Sequence, residues 1–225
     1  MRFAVLRFPG SCDEVDALHA ARMVADAEIV WHGERDLGGA DAVIVPGGFS
    51  YGDYLRAGAI ARFSPAMEAV AEFAADGGLV LGICNGFQVL CEARLLPGAL
   101  LPNVDLRFTC RQVELEVVSN ETPFTGACAQ GELLNIPAKH SWGRYHADPE
   151  TLAWLHAEGR VLLRYAPGQN FNGSLDDVAG VCNEQGNVFG LMPHPEHAVD
   201  ELVGGSGDGL AIFRSMRLAI EGAHA

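Results

Sequence analysis

The chain has 225 residues, 49% hydrophobic and 20% charged, which describes a globular protein long enough for one large α/β domain with a full core. Its formal net charge of −14 argues against nucleic acid or an anionic membrane as partner, since both need basic patches, and no apolar run is long enough to span a bilayer. Six cysteines, at 12, 84, 91, 110, 128 and 182, lack CxxC spacing and read as reduced thiols of a cytoplasmic protein, with neither a disulfide framework nor a zinc site.

The apolar run near Met1 is too short for a signal peptide and is interrupted by Arg7, so Phe3–Phe8 predicts a first strand. Pro9-Gly10-Ser11 is a turn, and Ser11 or Asp13 is suited to cap a helix that runs to about Ala25. Glu28–His32 and Ala42–Val45 predict two more strands. Strand, helix, strand at this spacing indicates a parallel sheet with helices on both faces, and ligands of such sheets lie beyond the C-terminal ends of the strands. The third strand runs into Pro46-Gly47-Gly48-Phe49-Ser50-Tyr51-Gly52-Asp53. This is either an ordinary glycine-rich turn or one wall of an oxyanion hole; it is not a Walker phosphate loop. Helical patterns follow over about Tyr54–Phe63 and Pro65–Ala75.

Leu79–Ile83 is a short apolar run, as expected of a strand buried on both faces, and Phe87 to Ala93 reads as a helix. Cys84 stands at the join between Gly82 and Gly86. That is the pattern of a nucleophile elbow with Cys in place of Ser. The positive end of the following helix favours a thiolate, and the Asn85 N–H is placed to hold an oxyanion. A cysteine can also be merely a small buried hydrophobe, but glycines on either side at a strand–helix junction favour chemistry.

Beyond Gly98 the pattern turns antiparallel. Arg107–Val118 reads as one or two strands, and Leu133–Ile136 and Val161–Tyr165 as short ones. Val178–Cys182 and Val188–Met192 form a hairpin across residues 183–187, and Leu210–Glu221 is a closing helix. Asn120-Glu121-Thr122 and Asn172-Gly173-Ser174 match the glycosylation pattern but read as turns. There is no internal repeat, low-complexity segment or linker, so residues 1–225 read as a single domain.

Met192-Pro193-His194-Pro195-Glu196-His197 follows the second hairpin strand. A cysteine nucleophile needs a base and a group to orient it; His194 suits the first role and Glu196, two residues on in an extended segment, the second. A metal site on His194, Glu196 and His197 is the rival reading, but it lacks a clear further ligand.

With Gly82-Ile83-Cys84, Gly86 and Gln88 followed by the distal His194-Pro195-Glu196, the chain resembles the class I (triad-type) glutamine amidotransferases. The run from Pro46 to Ala61 is similar to one branch, the glutaminase subunits that serve the conversion of formylglycinamide ribonucleotide to its amidine in purine biosynthesis. The resemblance implies a flavodoxin-like three-layer α/β/α fold, mainly parallel, with an antiparallel extension. It implies Cys84 as nucleophile, His194 as base and Glu196 as its orienter. Gly48 and Asn85 N–H groups would form the oxyanion hole, and Gly47 and Gln88 would bind substrate. The substrate would be glutamine. The partners would be a large synthetase subunit that uses ATP and Mg²⁺ and a small bridging subunit; this chain would hold no cofactor or metal. Three positions depart from the pattern: Ser11 and Cys12 are adjacent without an intervening Asn, Trp142 replaces an acid in His140–Tyr145, and His197 stands where Arg is common. Two other readings stay open: a cysteine hydrolase of peptides or γ-glutamyl conjugates, and a non-catalytic protein with a redox-sensing Cys84. The second has no use for His194 and Glu196.

Overall fold

The computed structural model describes residues 1–223. The first half contributes strands β1 (Arg2–Arg7), β2 (Asp26–Trp31), β3 (Ala42–Val45) and β4 (Leu79–Ile83). Helices α1 (Glu14–Arg22), α2 (Pro65–Ala75) and α3 (Asn85–Glu92) belong to the same half. The second half contributes β5 (Ala99–Pro102), β6 (Thr109–Val117), β7 (Leu133–His140), β8 (Trp142–His146), β9 (Val161–Tyr165), β10 (Val178–Cys182) and β11 (Val188–Leu191). Its helices are α4 (Pro149–Ala157), the single turn α5 (Glu201–Gly204) and α6 (Leu210–Ala223).

Nine strands form one sheet in the order β2-β1-β3-β4-β11-β10-β9-β6-β7, while β5 and β8 pair separately. The first five are mutually parallel and the remainder antiparallel. Helices cover both sides, so the expected α/β class with its antiparallel extension is the observed one. β3 and β4 are buried at every position, which explains their unbroken apolar runs. No helix among the described residues is long and apolar enough to cross a membrane.

One feature of the topology builds the site. β11 is the hairpin partner of β10, yet it also lies parallel to β4, with Gly190 opposite Gly82 and Leu191 opposite Ile83. The C-terminal ends of β3, β4 and β11 therefore sit side by side. The segments that leave them, beginning at Pro46, Cys84 and Met192, emerge at one edge. Gly82 and Gly190 both face α3: a Cβ on Gly82 would lie 2.9 Å from the Gly86 backbone, and one on Gly190 would overlap the Phe87 ring. Without side chains there, α3 rests directly on the sheet.

The expected helix over Tyr54–Phe63 does not form. Leu55 has φ 71°, and Gly58, with φ 78°, approaches α3 so closely that a Cβ would sit 2.7 Å from the Val89 nitrogen. The segment lies on α3 as turns, because close packing there outweighs its local periodicity. It ends in a short 3-10 turn, Ala61–Phe63, before Ser64 caps α2 by accepting from Met67 N at 3.3 Å. Helix α1 stops at Arg22 instead of Ala25, β2 begins two residues earlier than expected, and β7 continues to His140. The strands β5 and β8 and helix α4 were not anticipated, although Asp148-Pro149 carries an N-terminal signal: Asp148 Oδ1 accepts from Thr151 N at 2.9 Å.

Candidate active site

Cys84 occupies the turn between β4 and α3 with φ 50° and ψ −103°, a conformation that costs a non-glycine residue about 1–3 kcal/mol. Its N–H donates to Leu191 O at 2.8 Å, which ties the elbow to β11. A Cβ on Gly86 would overlap the Val45 carbonyl, so the third residue of the elbow must be glycine for α3 to start where it does. The side chain of Cys84 is buried at the N-terminus of α3. Burial pushes the thiols of Cys128 and Cys182 up to about 11 and 12, which keeps them protonated.

His194 follows β11 and is completely buried. Its Nδ1–H donates to Glu196 Oε1 at 2.6 Å, and its backbone N–H donates to Pro137 O at 2.7 Å. This leaves Nε2 as the free ring nitrogen, buried and without a partner. Burial opposes charge on the ring, but Glu196 and Cys84 outweigh it and raise His194 above its ordinary value. Glu196 does not reach His194 along an extended segment. Pro195–His197 is a 3-10 turn closed by His197 N to His194 O at 3.2 Å, and Pro195 presets its first residue.

Asp13 is the group that reading the sequence missed. It precedes α1, but neither it nor Ser11 caps the helix: there is no side-chain cap bond, and the Ser11 hydroxyl accepts from Phe8 N at 2.9 Å. The Asp13 carboxylate turns inward instead. It accepts from Lys139 Nζ, lies 3.2 Å from His197 Nε2 and is 3.7 Å from His194 Nδ1. Burial raises its pKa, but His197, His194 and Lys139 prevail and hold it well below the usual carboxylate range. Donor atoms of Asp13, His194, Glu196 and His197 lie within 4.8 Å of one another, so the fourth ligand absent from the sequence-level metal reading does exist. Those donors are nevertheless committed, Asp13 to Lys139 and Glu196 to His194, so the cluster reads as a charge network around the imidazole. Asp13→Asn is expected to cost about 1–3 kcal/mol at pH 7, because it strands Lys139 and His197. The Asp13 pKa is lowered on folding, so its stabilisation is fully present above the ordinary value of about 4 and is lost progressively as pH falls from there through the lowered folded value. Urea unfolding at neutral and acidic pH checks this: the difference between variant and parent should shrink on acidification, and a constant difference contradicts it.

The loop after β3 forms the facing wall. Cys12 N donates to Gly47 O at 3.2 Å and Phe49 N to Gly10 O at 3.0 Å, bracketing a bridge between Ser11 and Gly48. Gly48 has φ 137°, and a Cβ would lie 2.7 Å from Cys12 N. Gly47 faces the other way: a Cβ there would overlap the Asp13 carboxylate and lie 2.8 Å from His194 Cε1. The Asn85 side chain, fully buried, accepts from Ser50 N at 2.9 Å and donates to Asp53 Oδ1 at 3.0 Å and Gln88 Oε1 at 2.9 Å. Its main-chain N–H opens α3, where no intrahelical acceptor exists.

A cleft of about 270 Å³ opens in front of Cys84, lined among others by Gly48, Asp53, Gln88, Lys139, His140 and Trp142. Gln88 lines it with both ends of its amide engaged, by Asn85 and by the Trp142 carbonyl. Trp142, which replaces the usual acid, sends its indole N–H away to Leu100 O at 2.8 Å. His140 donates from Nδ1 to Asn103 Oδ1 at 3.0 Å; burial lowers its pKa to about 3, so it is neutral at pH 7. Asn172 is wholly buried and donates to Gly143 O at 3.0 Å, so this apparent glycosylation site is a brace for the 140–145 loop.

A strained cysteine elbow beside a buried His–Glu pair is a hydrolase-like arrangement found in more than one family. Residues 1–211 match the model of the CobB/CobQ-like glutamine amidotransferase domain. The chain belongs to this family. It is 60% identical to the phosphoribosylformylglycinamidine synthase subunit PurQ of Rubrobacter xylanophilus, over 96% of this chain and 97% of that one. It is 56% identical to the PurQ subunit of Thermus thermophilus, over 95% of this chain and 96% of that one. Among solved structures, PurLQS from Thermotoga maritima matches with a TM-score of 0.89 and 44% identity, covering 97% of this chain and 98% of that chain. The chain is thus a PurQ-type glutamine amidotransferase, as the 46–61 run led us to expect.

Proposed function

We propose that this amidotransferase works as the glutaminase subunit of phosphoribosylformylglycinamidine synthase, with Cys84, His194 and Glu196 as its triad. The observation that carries the mechanism is the buried His194–Glu196 pair, which leaves Nε2 free on a ring near enough to Cys84 to feel it. Cys84 Sγ attacks the side-chain carbonyl of glutamine. His194 holds the thiol proton and delivers it to the departing ammonia. The oxyanion is held by the Gly48 and Asn85 N–H groups. Water, deprotonated by His194, then cleaves the thioester to glutamate and regenerates the thiol. Gly47 serves by leaving room for Asp13 and His194, and Gln88 by shaping the cleft wall.

The ammonia is passed to a large synthetase subunit, with a small bridging subunit completing the complex. ATP and Mg²⁺ act on the synthetase; this chain needs no cofactor of its own. A dry passage keeps ammonia unprotonated and nucleophilic. Reduced thiols and the −14 charge suit a cytoplasmic setting. The test is glutaminase activity of the purified chain, first alone and then with both partners, ATP and formylglycinamide ribonucleotide. Low activity alone that rises sharply in the complex is expected. No glutamine hydrolysis in either setting, by a folded chain with a titratable Cys84 thiol, overturns the proposal.

A further inference from the structure

The cleft over Cys84 holds one charge that the mechanism does not use. Lys139 is neutralised by Asp13, and Glu196 by His194. Asp53 is half-buried, lines the same cleft and has no cationic partner among the described residues. Arg56, three residues on, is turned away and clamps Glu92 through two hydrogen bonds of 2.5 and 2.7 Å.

What holds Asp53 there is visible. Tyr51, Gly52 and Asp53 all have positive φ, at 56°, 71° and 52°, and turn the carboxylate back over α3. Oδ1 accepts from Asn85 Nδ2 at 3.0 Å. That bond needs only an acceptor. A neutral amide would satisfy Asn85 without the cost of burying a charge, and burial does raise the Asp53 carboxyl. The Gly58 backbone N–H also stabilises the carboxylate, so the fold meets it with two neutral donors but with no cation to balance its charge. Asp53 bonds to the side chain of the residue that follows Cys84, and both Asp53 and Cys84 line the one cleft.

We propose that Asp53 receives the α-ammonium of the amino-acid substrate and so selects free glutamine over amides that lack this group. The proposal rests on the glutaminase reading above and names a specificity group for it. With Cys84, Gly48 and an unpaired carboxylate lining one cleft, an amino acid is held there by its reacting amide and by its ammonium. The ammonium supplies the missing counter-charge.

The test is Asp53→Asn in the assembled complex, a change that keeps an acceptor for Asn85. The KM for glutamine should rise about 10- to 100-fold, the loss of one charge-assisted hydrogen bond, with kcat little changed. Alkylation of Cys84 by iodoacetamide, a small electrophile with no α-ammonium, should proceed at the parental rate. An unchanged KM overturns the proposal. So does a parallel loss of glutamine turnover and alkylation, which would make Asp53 a brace for Asn85 and the elbow. A parent complex that alkylates normally yet hydrolyses no glutamine sinks the glutaminase reading itself.

Discussion

Cys84→Ala is expected to abolish glutamine-dependent synthesis, by a factor of roughly 10⁴ or more, while ammonia-dependent synthesis by the assembled complex continues. The other cysteine of α3 cannot substitute. Cys91 lies two turns along α3, and burial drives its thiol far above its ordinary value. The substitution keeps the Cβ and removes only Sγ, so the elbow with its φ of 50° and the Cys84 N–H bond to Leu191 O persist. Stability should therefore change by no more than about 1 kcal/mol. Measuring synthesis with each nitrogen donor in turn separates the outcomes. Loss of both activities would show that Cys84 holds the complex together instead of attacking glutamine.

The second large effect belongs to Glu196→Gln. The two side chains have nearly the same shape, and the buried site can receive either. What changes is charge. Glu196 fixes the proton on His194 Nδ1 through a 2.6 Å hydrogen bond and is foremost among the groups that raise the imidazole's pKa against the effect of burial. A glutamine can present its NH₂ to Nδ1 and so favour the wrong tautomer, and it cannot support an imidazolium in a buried site. A 10²- to 10⁴-fold fall in kcat is expected, within the range assigned to positioned acid–base groups. Because the raised value of His194 depends on Glu196, the alkaline limb of the pH–rate profile should also move to lower pH in the variant. A fall in rate with no movement of that limb would mean that Glu196 acts through packing alone.

Much of the site was legible before any coordinates. Cys84 was marked by Gly82 and Gly86, and both glycines prove to be places where a Cβ would collide with backbone, at Gly86 and Val45 respectively. His194 and Glu196 were marked by their spacing beside prolines, although the segment is a 3-10 turn and not extended. Asp13 and Asp53 were not legible. Each is a single acid near a helix start or in a glycine-rich loop, where the same residue most often caps or faces water. The Tyr54–Phe63 helix was read from a periodicity that its contact with α3 overrides.

The division has a physical cause. Local chemistry is written in neighbouring residues: an elbow needs small residues on either side of its nucleophile, a buried parallel strand needs an unbroken apolar run, and a His–Glu pair two residues apart closes through one turn. The sequence alone therefore determined the α/β class and singled out the Cys84 elbow and the His194–Glu196 pair. Charge partnerships between distant segments depend on strand order. Asp13 meets Lys139, His194 and His197 only because β11 inserts beside β4 and β7 brings Lys139 across, and the unpaired state of Asp53 is defined only once every cation around it has been placed elsewhere. Those relations exist in three dimensions alone, so the tertiary structure decided them.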